Sequence, residues 1–334
     1  MFEPKIPKII HYCWIGGKPI PEHNRKIMES WKKFCPDYEI IEWNESNYDF
    51  TKNRYMKEAY ENKQWAFAPD YARLDIIYEH GGIYLDVDVE LVKPLDDLLN
   101  LEGFAGFESE KVCNLGQGFG AIPKLPIIKE LRDCYVSLHF VKEDGTLNKI
   151  PSPQYQTECL VKKGLILNNT KQTVNDLTIY PIEYFCPKDF YSGEINLTEN
   201  TYSIHHFDGS WVDSGLGLIR KEYLSSLGII FTAEEENMYL GLMHNKKVVK
   251  SQQDLFDAVN MAQKIFFTAD TLCKDNKLRN AIKELLFLIS ENGVKNKVTS
   301  LGLYFTIFRK WKVFKTPRAN LRYLYHCFRN LLHV

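Results

Sequence analysis

No run of about eighteen apolar residues occurs in this 334-residue chain, so no membrane-spanning helix is expected. The N-terminal residues lack the apolar stretch of a secretory leader, because Pro4, Lys5, Pro7 and Lys8 interrupt it. The eight cysteines (Cys13, Cys35, Cys113, Cys134, Cys159, Cys186, Cys273 and Cys327) show no C-x-x-C spacing, and several lie within apolar runs. That pattern argues against a disulfide framework and a zinc site, and for reduced, buried thiols in a cytoplasmic protein. Neither an internal repeat nor a low-complexity tract is present. Acidic residues stop at Glu291, beyond which stand nine cations: Lys295, Lys297, Arg309, Lys310, Lys312, Lys315, Arg318, Arg322 and Arg329. The net charge of −1 therefore hides a basic end on a body holding 33 basic and 43 acidic residues.

What is present is ordinary in bulk and specific in detail. A share of 45% apolar and 25% charged residues suits a globular protein with a sizeable core, as one large domain with an appendage or as two domains. The aromatic share of 13% is high, which suits platforms for flat ligands and equally a ring-rich core. Lys8 to Trp14 is a near-continuous β-type run closed by Gly16 and Gly17, and 38–43 reads as a second strand. The periodicity predicts helices over 22–34, near 53–63 and at about 67–79, the last stopped by Gly81-Gly82. Short strands are expected at 104–107, 118–122, 178–185 and 202–207, with helices at 125–139 and 154–163. Beyond about 216 the β signal fades, and 233–243, 253–268, 276–291 and 317–332 read as helices. The expectation is an α/β catalytic domain over 1–215 and a mainly helical region over 216–334.

The strand expected after Gly82 ends in Asp86-Val87-Asp88. If the strand persists, both carboxylates share one face while Leu85 and Val87 turn into a core. Such a pair repels itself unless a cation or a ligand's donors compensate it, which suggests a divalent-metal site. Two other readings stand beside it: solvated Asp residues in a turn, or the nucleophile and acid of a haloacid-dehalogenase phosphatase. The phosphatase reading needs a later G-D-x-x-x-D motif, which the chain lacks.

Ala68-Pro69-Asp70-Tyr-Ala-Arg73, followed by Gly81-Gly82-Ile-Tyr84-Leu-Asp86-Val-Asp88, resembles the sugar-binding region of glycosyltransferase family 32. It is similar also to the glucosyltransferase domain of the large clostridial toxins. The first strand, ending Trp14-Ile-Gly-Gly17, and the late run His205-His206-Phe-Asp-Gly-Ser210-Trp211 match segments of such enzymes, in the same order along about 200 residues.

The resemblance implies a GT-A, Rossmann-like core and transfer of a hexose, with retention, from a nucleotide sugar. UDP-hexose is favoured and GDP-mannose is possible. The acceptor would be a glycan or lipid-linked saccharide in bacterial surface polysaccharide (capsule) synthesis, with a protein acceptor or a non-catalytic relative as alternatives. Carried over, Trp14 stacks on the base, although a buried strand-end aromatic explains it too. Asp70 and Arg73 hold donor hydroxyls and phosphate, Tyr84 and Asn114 touch the donor, and Ser210 and Trp211 donate to the diphosphate. Asp86 and Asp88 hold Mn²⁺ or Mg²⁺, completed by His206, and Asp86, Asp88 and Arg73 carry catalysis. Glu158 and Asp208 are spare carboxylates near the expected cleft, with no assigned role. In the basic tail, Leu301, Tyr304, Phe305, Phe308 and Trp311 form an apolar stripe beside Lys312. It reads either as contact with the inner membrane surface or as a helix laid on the core with a solvated basic back. No nucleic-acid partner is expected.

Overall fold

The structure is a computed structural model and describes residues 4–208, 220–226, 228–244 and 248–272, with positions 281, 284, 285, 288 and 289. It divides into two compact units, Met1–Asp189 with Glu194–Trp211, and Phe190–Gly193 with Val212–Val334.

In the first unit, the apolar run at the start forms β1 (Ile9–Cys13), paired in parallel with β2 (Glu39–Trp43) and β3 (Gly82–Tyr84). The segment after β3 bends away into β4 (Val89–Leu91). Then come β5 (Gly103–Ser109), β6 (Val112–Asn114) and β7 (Phe119–Ala121), and later β8 (Gln172–Val174) and β9 (Leu177–Tyr180). One mixed sheet runs in the order β2-β1-β3-β7-β5-β9-β8, with β6 on β5. A separate antiparallel pair joins β4 to β10 (Ser203–His205), with Val89 opposite His205.

Helices α1 (Glu22–Phe34), α2 (Arg54–Glu61), α3 (Pro69–His80), α4 (Pro126–Asp133), α5 (Ser152–Lys162) and α6 (Ile182–Phe185) complete this unit. α/β is the observed class, as expected. α3 starts with Pro69 in its first turn, where a missing N–H costs nothing, and ends on Gly81 at φ +68°. A Cβ on Gly82, at φ +92°, would sit 2.8 Å from both His11 Nε2 and the Ile9 carbonyl. Only glycine lets β3 enter the sheet so close to β1.

The second unit has its own core, with Leu224, Tyr239, Leu242, Leu255, Val259 and Ile265 buried together. It contains α7 (Lys221–Ser226), α8 (Ala233–Met243) and α9 (Gln252–Leu272). α8 begins with a reciprocal cap between Thr232 and Glu235. The expected helix at 317–332 and the basic stripe from Leu301 to Lys312 lie outside the described residues.

Five expectations need correction. The strand ends at Tyr84, so Asp86 to Asp88 occupies the turn into β4 rather than a strand end. Leu85 is buried as expected, but Val87 is only half-buried. The helix expected at 125–139 stops at Asp133, and the strand expected over 178–185 ends at Tyr180 before the short α6. Cys134 and Cys159 are joined in a disulfide, whereas Cys13, Cys35, Cys113 and Cys186 are free and buried.

Candidate functional site

The site forms where α3, the β3–β4 turn, the loop after β6 and the end of β10 meet. α3 presents Asp70 and Arg73 one turn apart, and both side chains are buried rather than forming a surface pair. Arg73 Nη2 lies 3.1 Å from Asp70 Oδ1 and 3.6 Å from Asp86 Oδ1. The Tyr84 hydroxyl donates to the same Asp86 oxygen at 3.0 Å, and its ring lies 5.2 Å from the guanidinium. One cation therefore ties the helix to the D-x-D turn, and an isolated buried Arg73 would be far more costly than this paired one.

Burial raises the Asp70 carboxyl to about 7, against the pull of Arg73. Asp86 is also raised by burial, opposed by Arg73 and reinforced by Asp88. Asp88 behaves differently. Burial would raise it, but His205, together with the Asp208 backbone N–H, holds it at about 2. Its Oδ2 accepts from Asp208 N–H at 3.0 Å and lies 3.5 Å from His205 Nε2. Its carbonyl accepts from the His206 N–H at 2.9 Å.

Of the two adjacent histidines, His205 faces Asp88, whereas the expected ligand His206 does not. His206 turns its Nε2 to Glu90 Oε2 at 2.8 Å. The reason is register: His205 pairs with Val89 at the end of β10, and the strand stops there. Phe207 follows at φ +57°, an unfavourable backbone for a bulky residue, which turns Asp208 back over Asp88. Asp208 is then clasped by His23 at 2.8 Å and Asn24 at 2.6 Å, both from the first turn of α1. No local pattern signals that clasp, since more than 180 residues separate the partners.

Asn114 is brought to the site, and its side chain bonds Glu108 and the Gly116 N–H. The Gly116 carbonyl accepts the Asp86 N–H at 3.1 Å. Trp14 stands at the end of β1, half-buried, and its indole N–H donates to the Lys18 carbonyl at 2.5 Å. Ser210 and Trp211 lie outside the described residues. Glu158 is exposed on α5 and takes a bond from Gln154. Sequence reasoning did not place Glu108 or Gly116 here; His205 stood only within the late motif, and Asp208 was a spare carboxylate near the expected cleft without a role.

The donor chemistry fits a hard divalent cation. Asp86 and Asp88 offer carboxylate oxygens, and the buried His205 Nδ1 has no hydrogen-bond partner. Among the described residues no group of three such side chains is arranged to hold an ion, so substrate phosphates would have to supply further ligands.

Residues 21–105 match the family model for the glycosyltransferase sugar-binding region containing a DXD motif. An uncharacterized glycosyltransferase of Acanthamoeba polyphaga mimivirus is 30% identical over 199 residues, 56% of this chain and 75% of that protein. The chain belongs to this glycosyltransferase family. As a family member it is an enzyme, and its D-x-D is Asp86-Val87-Asp88. Inositol phosphoceramide mannosyltransferase 1 of Schizosaccharomyces pombe is 31% identical over 37% of this chain and 41% of its own length. Inositol phosphoceramide mannosyltransferase 3 of the same organism is 37% identical over 40% of each chain. The chain thus spans under half the length of these fungal relatives.

Proposed function

We propose that this glycosyltransferase is a divalent-metal-dependent, retaining hexosyltransferase that takes a nucleotide sugar as donor and a saccharide hydroxyl as acceptor. The observation that carries the reading is the single buried network Asp70–Arg73–Asp86 beside Asp88 and His205. Arg73 supplies fixed positive charge where a leaving diphosphate needs it, preorganised by two carboxylates and a tyrosine. Asp70 and Asp86 accept from sugar or ribose hydroxyls and orient the donor. Asp86 and Asp88 would hold Mg²⁺ or Mn²⁺, which would supply Lewis-acid neutralisation of the diphosphate. Asp86 is engaged by Arg73 and Tyr84 and so is suited to holding rather than attacking. Retention then follows from front-face attack, with the departing diphosphate oxygen accepting the acceptor's proton.

The activities for which the fungal relatives are named favour one more specific version: a mannosyl donor and a lipid-borne acceptor. A role in surface polysaccharide synthesis is the version that the motif resemblance supports. Hydrolysis and transfer measured with Mn²⁺ over UDP- and GDP-hexoses, with free and lipid-linked saccharides, distinguishes them. Turnover is expected with one donor, and no turnover with any donor would overturn the assignment. Asp88→Asn is expected to lower kcat/KM by about 10²-fold or more, since it weakens charge stabilisation at the leaving group. Undiminished metal-dependent turnover in that variant would remove Asp88 from the metal site.

A further inference from the structure

Glu108 stands at a defect in the sheet. Phe107 pairs with Cys113 and Ser109 with Val112, so β5 spends one residue more than β6, and that extra residue is Glu108. Such a bulge breaks the alternation of side chains and re-aims the one it carries. Here it brings the carboxylate to Asn114, the last residue of β6, whose Nδ2 donates to Glu108 Oε2 at 2.6 Å. Asn114 Oδ1 accepts the Gly116 N–H at 2.7 Å. The two contacts demand the same orientation of the amide. A flipped amide would set its oxygen against a carboxylate and its NH₂ against an N–H.

Gly116 is where that orientation matters. Its carbonyl accepts the Asp86 N–H at 3.1 Å. A Cβ there would lie 2.4 Å from Asp86 Oδ2 and 2.6 Å from Arg73 Nη1, so the backbone passes directly over the ion pair of the site. We propose that Glu108 is a positioning residue of the transferase centre: by fixing the polarity of the Asn114 amide it locks Gly116 onto Asp86 and Arg73. The bulge and the bond to Asn114 are independent observations, and they converge on one side chain. Burial pushes the Glu108 carboxyl up, while His205 and Asn114 pull it down, so it is held among site groups rather than in open solvent.

The inference rests on the reading of Asp86 and Arg73 as the donor-phosphate centre, and a polarity swap separates the two. Asn114→Asp sets two carboxylates against each other at Glu108 while still accepting from Gly116 N–H. Adding Glu108→Gln restores a donor facing an acceptor. Metal-dependent hydrolysis of the wild-type donor is measured for each protein, with thermal midpoints alongside. Asn114→Asp is expected to lose about 10²-fold in kcat, the scale of an ångström-sized misplacement. The double variant is expected to regain at least about 10-fold of that loss. If Asn114→Asp does not fold, Glu108→Gln is compared with Glu108→Ala, and the amide is expected to keep several-fold more activity. A double variant no better than Asn114→Asp, or Glu108→Ala equal to Glu108→Gln, overturns the positioning role. Absence of wild-type turnover would instead overturn the reading of the centre itself.

Discussion

Arg73 holds more of the site together than either D-x-D carboxylate, because it is the group shared by Asp70, Tyr84 and Asp86. Its surroundings raise its affinity for the proton, burial notwithstanding, with Asp86 contributing most, so it stays charged throughout the working pH range. At the other side of β3 sits a histidine with the opposite task. His11 is fully buried, its Nδ1 accepts from the Trp43 indole at 3.0 Å, and Nε2–H therefore donates to the Gly81 carbonyl at 3.0 Å. Burial lowers its pKa to about 4. The unfolded chain binds this proton near pH 6.5 and the folded chain does not, so stability is present above that value and falls as pH drops toward 4. This group alone accounts for about 3 kcal/mol across that window. His11→Gln is expected to flatten the acid limb of stability against pH, measured by urea unfolding between pH 4 and 7. An unchanged limb would place the dependence elsewhere.

At the level of elements, the decisive geometry lies in short irregular pieces. α3 and β1 declare themselves through periodicity, Pro69 and the Gly81-Gly82 stop, and both stand where expected. The three-residue strands β4, β6 and β8 carry too little pattern to register, although β4 ends the D-x-D turn and β6 delivers Asn114. Sequence alternation placed Asp86 and Asp88 on one strand face, but backbone pairing ends two residues too early for that argument. The Cys134–Cys159 link is another such case, since it joins the end of α4 to α5 across 25 residues that local spacing cannot bring together. Closing a loop of that length is worth about 3 kcal/mol in chain entropy. Reductant, or Cys134→Ser with Cys159→Ser, is expected to lower the urea midpoint accordingly. A midpoint indifferent to reductant would show that the link contributes nothing to stability.

Over the whole molecule the charge is segregated. Nine cations and no acid follow Glu291, against an excess of acid before it. We propose that this basic stretch holds the enzyme to an anionic bilayer, where a lipid-linked acceptor would be met. Co-sedimentation with vesicles containing about 30% phosphatidylserine is expected at low salt and to be lost near 0.5 M, where the Debye length has shrunk to a few ångströms. Equal binding to neutral vesicles would contradict it. Family and α/β class were legible in the chain, because helix and strand periods, glycine stops and motif spacing are local properties; the structure brings Asp70, Arg73, Tyr84, Asp86 and Asp88 together with Asn114 nearby. Which histidine serves Asp88, what Glu108 does and where Asp208 is clasped were not legible. The histidine and Asp208 follow from the register of β10 on β4 and from contacts over more than a hundred residues, and Glu108 from a bulge in β5, all of which exist only once the strands have paired and packed.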